Sequence, residues 1–202
     1  AKKIWHDSWP LMLSSAAAFV YLKIDQVMIG KMMGEAAVGI YAASVKITEI
    51  FYFIPGIICG SLFPAIINAK KTDDYIYKKR LKSFYYFLGI LGLLLSIIVV
   101  ILSKPIINLL FGIKYIESIY ILRVYIWSSI GLFLGSGITY HLMAENKTKL
   151  IFKINLLAMI INIVLNLILI PIYGLVGATI ATLVAYSVAP IWMIFNKNKK
   201  IK

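Results

Sequence analysis

The sequence predicts an all-α integral membrane protein, a six-transmembrane-helix bundle, and three observations lead there. Of 202 residues, 61% are hydrophobic and only 14% are charged, with a mean hydropathy of +0.90. Soluble domains sit near ~45–50% apolar and ~25% charged. Apolar runs of the roughly 20 residues that a bilayer-crossing helix needs recur along the whole chain. The basic residues gather between those runs rather than inside them.

The predicted spans lie at about residues 8–33, 39–69, 82–103, 118–144, 149–171 and 173–195. The first is apolar from Trp9 to Met33 except for Lys23 and Asp25 within "FVYLKIDQVMIG" (19–30). The second carries Lys46 and Glu49, and then "FIPGIICGSLFPAI", where Pro55 and Pro64 enclose Gly56 and Gly60. Two prolines in one span predict a bending or broken helix. The third, "FYYFLGILGLLLSIIVVILS", contains no charge at all. Gly131 and Gly135 lie in the fourth, and "GLVGATIATLVA" opens the sixth with small residues that let helix backbones approach closely. Residues 34–38 and "PIYG" (171–174) are read as tight outer turns. "KPIINLLFGIKYIES" (104–118) is too short to span and is expected along the outer interface. "AKKTDDYIYKKRLK" (69–82) reads as a solvated basic inner loop.

Orientation follows from the bases. One side collects Lys2, Lys3, Lys70, Lys71, Lys78, Lys79, Arg80, Lys82, Lys147, Lys149, Lys153, Lys197, Lys199, Lys200 and Lys202, which is 15 against 4 opposite (Lys31, Lys104, Lys114, Arg123). This split puts both ends of the chain in the cytoplasm. Trp5, Trp9 and Trp192 fall near the same interface. The net charge of +13 therefore reads as cytoplasmic loops facing anionic lipid, with no nucleic acid partner. The lone cysteine, Cys59, lies in an apolar run, and nothing has metal-ligand or cofactor spacing. No catalytic constellation stands out. The start at "AKKIW", without Met or a signal-peptide pattern, reads as a segment of a longer chain.

The charges inside the spans need an account, because one charge at mid-bilayer costs at least ~2.5–3.5 kcal/mol. Measured from the outer turn, Asp25 is level with Lys46, and Lys23 with Glu49, roughly 12–17 Å in at ~1.5 Å per residue. Equal depth and opposite sign make each a candidate pair. Lys23 and Asp25 point about 200° apart, whereas Lys46 and Glu49 share a face, so Lys23 and Asp25 cannot both look at it. One member of the group is expected to border a hydrated lumen; the alternative is that all four only knit two helices together. Asn155, Asn162 and Asn166 add a polar stripe to the fifth span, either interhelical glue or cavity lining. His141, at the inner end of the fourth, reads as an interfacial polar residue.

At this point "KIDQVMIGKMMGEAAVGIYAASVKITEIFYFIPGIICGSLFPAI" (23–67) resembles the start of the second half of bacterial polysaccharide flippases of the Wzx type, in the multidrug/oligosaccharidyl-lipid/polysaccharide exporter superfamily. "IINLLFGIKYIESIYILRVY" (106–125) and "INIVLNLILIPIYGLVGATIATLVAYSV" (161–188) continue the resemblance in register. It implies that residues 1–202 are the C-terminal bundle, one lobe of a two-lobe transporter whose N-terminal bundle lies elsewhere in the same chain. The implied cargo is an undecaprenyl-diphosphate-linked oligosaccharide crossing the bacterial inner (plasma) membrane for O-antigen or capsule synthesis, with H+ or Na+ as coupling ion. By position, Lys23 and Lys46 become lumen cations, Asp25 and Glu49 charge-pair or ion-coupling groups, and Gln26, Asn155, Asn162 and Asn166 hydrogen-bonders to sugar. A cation-coupled multidrug exporter of the same superfamily would prefer acidic cavity groups, but two lysines against two acids do not decide. A membrane enzyme acting on lipid-linked sugars would want a long loop with catalytic groups, and the outer loops are short. A cargo-free structural subunit would have little use for the buried charges.

Overall fold

The computed structural model describes residues 2–70 and 73–196, with side chains described from Trp9 to Phe195 within those limits. The side chain of Trp5, Lys71 and the terminal lysines fall outside the described residues. Among the described residues seven α-helices run in order: α1 Lys2–Met33, α2 Glu35–Glu49, α3 Phe53–Lys70, α4 Asp74–Leu110, α5 Ser118–Tyr125, α6 Ser128–Ala144 and α7 Thr148–Asn196. No strand occurs among the described residues. Large apolar side chains such as Phe19, Phe87, Ile101 and Ile168 lie on the outside, a pattern suited to lipid rather than water. The chain is a multi-pass membrane protein.

The predicted second span is two helices, and Pro55 explains the break. Proline has no N–H to offer the Phe51 carbonyl four residues back, and its ring crowds that oxygen. The backbone changes to shorter-range bonds, Phe51 N–H to the Thr48 carbonyl and Tyr52 N–H to the Glu49 carbonyl, both at 3.0 Å. Pro64 leaves α3 continuous. The fourth span divides similarly at Ile126–Trp127. There the Ile126 carbonyl accepts both from the Ser129 N–H and from the Ser96 hydroxyl of α4, each at 3.0 Å, which ties α4 to the break.

α4 corrects two expectations. The basic loop is helical from Asp74 onward, because Asp73 caps the helix by accepting from the Tyr75 and Ile76 N–H groups. At the other end the helix runs through Pro105 to Leu110, so the expected interfacial segment is mostly a continuation of α4. Only Ile113–Tyr115 remains as a separate 3-10 turn. With 37 residues, α4 is about 55 Å long and outreaches a ~30 Å hydrocarbon core.

Among the described residues, five helical stretches are long and apolar enough to cross a membrane: Trp9–Met33, Glu35–Lys70, Asp74–Leu110, Ser118–Ala144 and Thr148–Phe195. The last is broken by Gly174, whose φ of 57° and ψ of −135° lie outside the helical region and suit a residue without Cβ. Val188 packs with Ile151, Ile154 and Ala158, so the two limbs of α7 lie alongside each other. The residues predicted as the fifth and sixth spans fall on these two limbs, which together make up one of the five long apolar stretches. Near the bend, a Cβ on Gly177 would overlap the Leu169 carbonyl. Gly177→Ala is expected to cost ~1–3 kcal/mol by overpacking and to lower the detergent melting temperature of the full-length protein. Gly39→Ala, where a Cβ meets nothing within 4 Å, is the matched control and should leave it near wild type.

Candidate functional site

α1 buries Pro10, Ser14, Ala17, Asp25 and Ile29, spaced to form one helical stripe. Asp25, 0% exposed, is therefore turned into the bundle and away from α2's charged face. Tyr41 of α2 donates to Asp25 Oδ2 at 2.6 Å, and Thr182 on the second limb of α7 donates to the same oxygen at 3.3 Å. The Gln26 backbone N–H donates to Oδ1 at 2.7 Å. These three donors take the place of a basic partner, since a buried carboxylate must be hydrogen-bonded or paired.

Lys23, pointing the other way, meets Glu49 at 2.5 Å, with side chains 42% and 30% exposed. That is the pairing that equal depth predicts. The second depth match does not become a pair: Asp25 faces inward, while Lys46 is exposed. Depth constrains height along the helix but not direction around it. Lys46 lies one turn from Glu49 on the same face of α2, so the outward face carries Lys23, Lys46 and Glu49, two positive charges against one negative.

A chain of tyrosines, unforeseen from the sequence, leads away from Asp25. The Tyr41 and Tyr125 rings meet edge-on at 5.8 Å, and the Tyr125 and Tyr52 hydroxyls lie 3.3 Å apart. Tyr52 then touches Tyr186, and Tyr186 touches Tyr21, again edge-on. One signal was available: Tyr21 precedes Asp25 by four residues and shares its face.

The asparagine stripe divides. Asn155 donates to Ser14 Oγ at 2.7 Å and borders a cavity of about 260 Å³ between α1, α3, α6 and both limbs of α7. Asn162 and Asn166 are fully buried and bond to each other at 3.1 Å. The Asn162 Nδ2 and Asn166 Oδ1 are left without partners among the described residues. Neither lines that cavity. The Gln26 side chain is half-buried.

Where α3, α6 and α7 meet, Glu145 gathers Lys70 at 3.0 Å, Lys147 at 2.7 Å and His141 at 3.5 Å, tying α3 and α6 to the start of α7. Tyr85 and His141 Nδ1 are 2.8 Å apart, so His141 is built into this junction. Partial burial raises the Glu145 carboxyl, but the hydrogen bonds from Lys147 and Lys70 outweigh it and bring it down to about 2. A lowered carboxyl stabilises the fold above its ordinary range of ~4.3 and loses that contribution as pH falls through its folded value. Glu145→Gln should therefore lower the melting temperature of the full-length protein at neutral pH. The gap to wild type should narrow as pH falls from about 4.5 towards 2, which a pH series of thermal melts will check.

Comparison with known proteins gives this geometry a context. The family described as "Polysaccharide biosynthesis protein" matches residues 1–120. The capsular polysaccharide biosynthesis protein CapF of Staphylococcus aureus is 26% identical over 193 residues, covering 93% of this chain and 48% of CapF. The "Probable low-salt glycan biosynthesis flippase Agl15" of Haloferax volcanii is 23% identical over 202 residues, covering 93% of this chain and 40% of its own length. Among solved structures, an outward-facing multidrug resistance MATE family transporter of the MOP superfamily superposes with a TM-score of 0.79 at 20% identity. That match covers 96% of this chain and 44% of the transporter, and it establishes the fold. The chain thus spans less than half the length of these relatives. With more than half of its residues matched, the chain belongs to the polysaccharide biosynthesis protein family.

Proposed function

We propose that this chain is one six-crossing bundle of a transporter that moves a diphosphate-linked oligosaccharide on a lipid carrier across the plasma membrane. The two limbs of α7 cross separately, and both ends of the segment lie in the cytoplasm. The rest of the protein supplies the facing bundle. The observation that carries this reading is the charge balance of the outward face, Lys23 and Lys46 against Glu49, with Asp25 turned inside. An exposed lysine at bilayer depth is costly against lipid, whereas beside a hydrated cleft it is tolerated and attracts an anion. The relatives named for capsule synthesis and glycan flipping support a diphosphate-sugar cargo. A multidrug exporter handling cationic drugs would need the opposite sign on this face.

In this scheme Lys23 and Lys46 hold the diphosphate, Glu49 neutralises Lys23 in the empty state, and Gln26 reaches sugar hydroxyls. Asp25, a carboxylate held by neutral donors alone, is the group on which an H+ or Na+ ion couples to the movement. Rocking of the two bundles moves the site between leaflets, and the break at Pro55 lets α2 and α3 move apart. The direct test is Lys46→Ala in the full-length transporter. Losing a contact of ~1.4 kcal/mol to the diphosphate means about tenfold weaker binding, so surface polysaccharide should fall with membrane abundance unchanged. Normal export at normal abundance would remove Lys46 from the cargo path.

A further inference from the structure

The cavity beside Asn155 owes its position to the break between α2 and α3. α2 packs on α1, but after the turn at Ile50–Tyr52 the chain packs instead on α4 and α6. The inner halves of α1 and α3 thus enclose a crevice floored by α6 and α7. Tyr21, Tyr52, Gly56, Gly135, Tyr140 and Asn155 are among its walls, and no charged side chain is. At about 260 Å³ it falls below the ~300–1,000 Å³ of sites for drug-sized ligands, so it has room for one ring and not for an oligosaccharide.

The walls combine aromatic faces with unspent polar capacity. Asn155 uses Nδ2 on Ser14, which leaves its carbonyl oxygen as an acceptor. Tyr140 reaches only the Gly56 carbonyl, at 3.5 Å, the outer limit of a hydrogen bond. The Tyr21 hydroxyl has no hydrogen-bond partner among the described residues. Hydroxyls that both donate and accept, on a ring with apolar faces, match that lining; a phosphate would find no cation in it. Lys23 leaves α1 on the side away from Tyr21, but its partner Glu49 is only three residues before the wall residue Tyr52, so the charged pair approaches the crevice from the α2 side.

From this juxtaposition we infer that the crevice between α1 and α3 receives the first sugar ring of the cargo, with the adjoining diphosphate at Lys23. The inference rests on the transport reading and adds to it a subsite inside this bundle. Substrates that lack the ring keep the diphosphate contact and lose the crevice contacts.

The test uses the full-length transporter freed of other cysteines, including Cys59→Ala, and a small methanethiosulfonate reagent. Gly135→Cys reports on the crevice, since a Cβ there comes no closer than 3.9 Å to Ala189. Val27→Cys, exposed one turn beyond Lys23, reports on the outward face. If Gly135→Cys does not accumulate, Gly56→Cys replaces it, as its Cβ meets nothing within 4 Å. Labelling rates are compared in cells that make the complete lipid-linked oligosaccharide and in cells lacking the enzyme that attaches its first sugar. Occupancy at several times the dissociation constant slows labelling by that same factor, so roughly fivefold protection by complete cargo is expected at both positions. Protection at Val27→Cys but not in the crevice overturns the subsite and leaves the transport reading standing. A crevice cysteine unreactive in both strains means a closed cavity and also overturns it. Protection at neither position removes the transport reading together with the subsite.

Discussion

Asp25→Leu is expected to remove most of the protein from the membrane, whereas Asp25→Asn is expected to leave its abundance near wild type and abolish export. The first effect is structural. Leucine strips the acceptor from the buried Tyr41 hydroxyl, from Thr182 and from the Gln26 N–H. A buried donor left unsatisfied costs ~1–3 kcal/mol; the Gln26 N–H keeps its place in the α1 ladder, but the two hydroxyl losses still consume a large part of the ~5–15 kcal/mol that holds a typical fold together. Asparagine keeps an acceptor oxygen for Tyr41 and Thr182 at nearly the same volume, so the packing of α1 against α2 and α7 survives. It cannot carry a negative charge or take up a proton, and the proposed coupling role is lost with that charge. Immunoblots of membrane fractions alongside surface polysaccharide separate the two effects. An asparagine variant that exports normally would make Asp25 a hydrogen-bonding anchor with no part in coupling.

The Lys23–Glu49 pair gives the second large effect, and the double variant decides between its two roles. Either single change to alanine leaves a charge at bilayer depth without its partner, and breaking one side of a buried pair costs up to ~3–5 kcal/mol. This pair is partly exposed, so solvent screening reduces that figure and the expected loss of abundance is moderate. Removing both charges restores the balance, and Lys23→Ala/Glu49→Ala should accumulate better than either single variant. If the pair only ties α1 to α2, export should recover with abundance. In the transport reading Lys23 also binds the diphosphate, so the double variant should accumulate and still fail to export.

The pairing of Lys23 with Glu49 was legible in the sequence because both helices hang from the same turn at Gly34, which makes residue counts equivalent to depth. The same counting misassigned Asp25 to Lys46, since height carries no information about direction around a helix. The spacing of Ser14, Ala17, Asp25 and Ile29 held the missing direction: Asp25 belongs to the stripe that α1 buries. Its partners on other helices were harder to find. Thr182 lies eight residues past Gly174, just as Asp25 lies eight before Met33, so its level could be counted. That it faces Asp25 depends on how α7 packs against α1. The helix limits show the same division between local and tertiary causes. Pro55 breaks its span through its own missing N–H, and a sequence displays that directly. At the Ile126 break the carbonyl accepts from Ser96 of another helix as well as from its own Ser129 N–H, a tertiary contact that local sequence does not display. The asparagines were visible as one stripe, but only Asn155 comes out beside the cavity, while Asn162 and Asn166 are fully buried against each other.

Translocation of the lipid-diphosphate-linked oligosaccharide in proteoliposomes containing the purified full-length transporter reports directly on whether the charged face handles cargo. The cargo made by the host is followed through its accessibility to an added lectin or glycosidase. Wild type should carry it across faster than protein-free vesicles, and Lys23→Ala/Glu49→Ala, reconstituted at equal density, should not. Translocation no faster than in protein-free vesicles, or equally fast with the double variant, would contradict the assignment of this charged face to cargo.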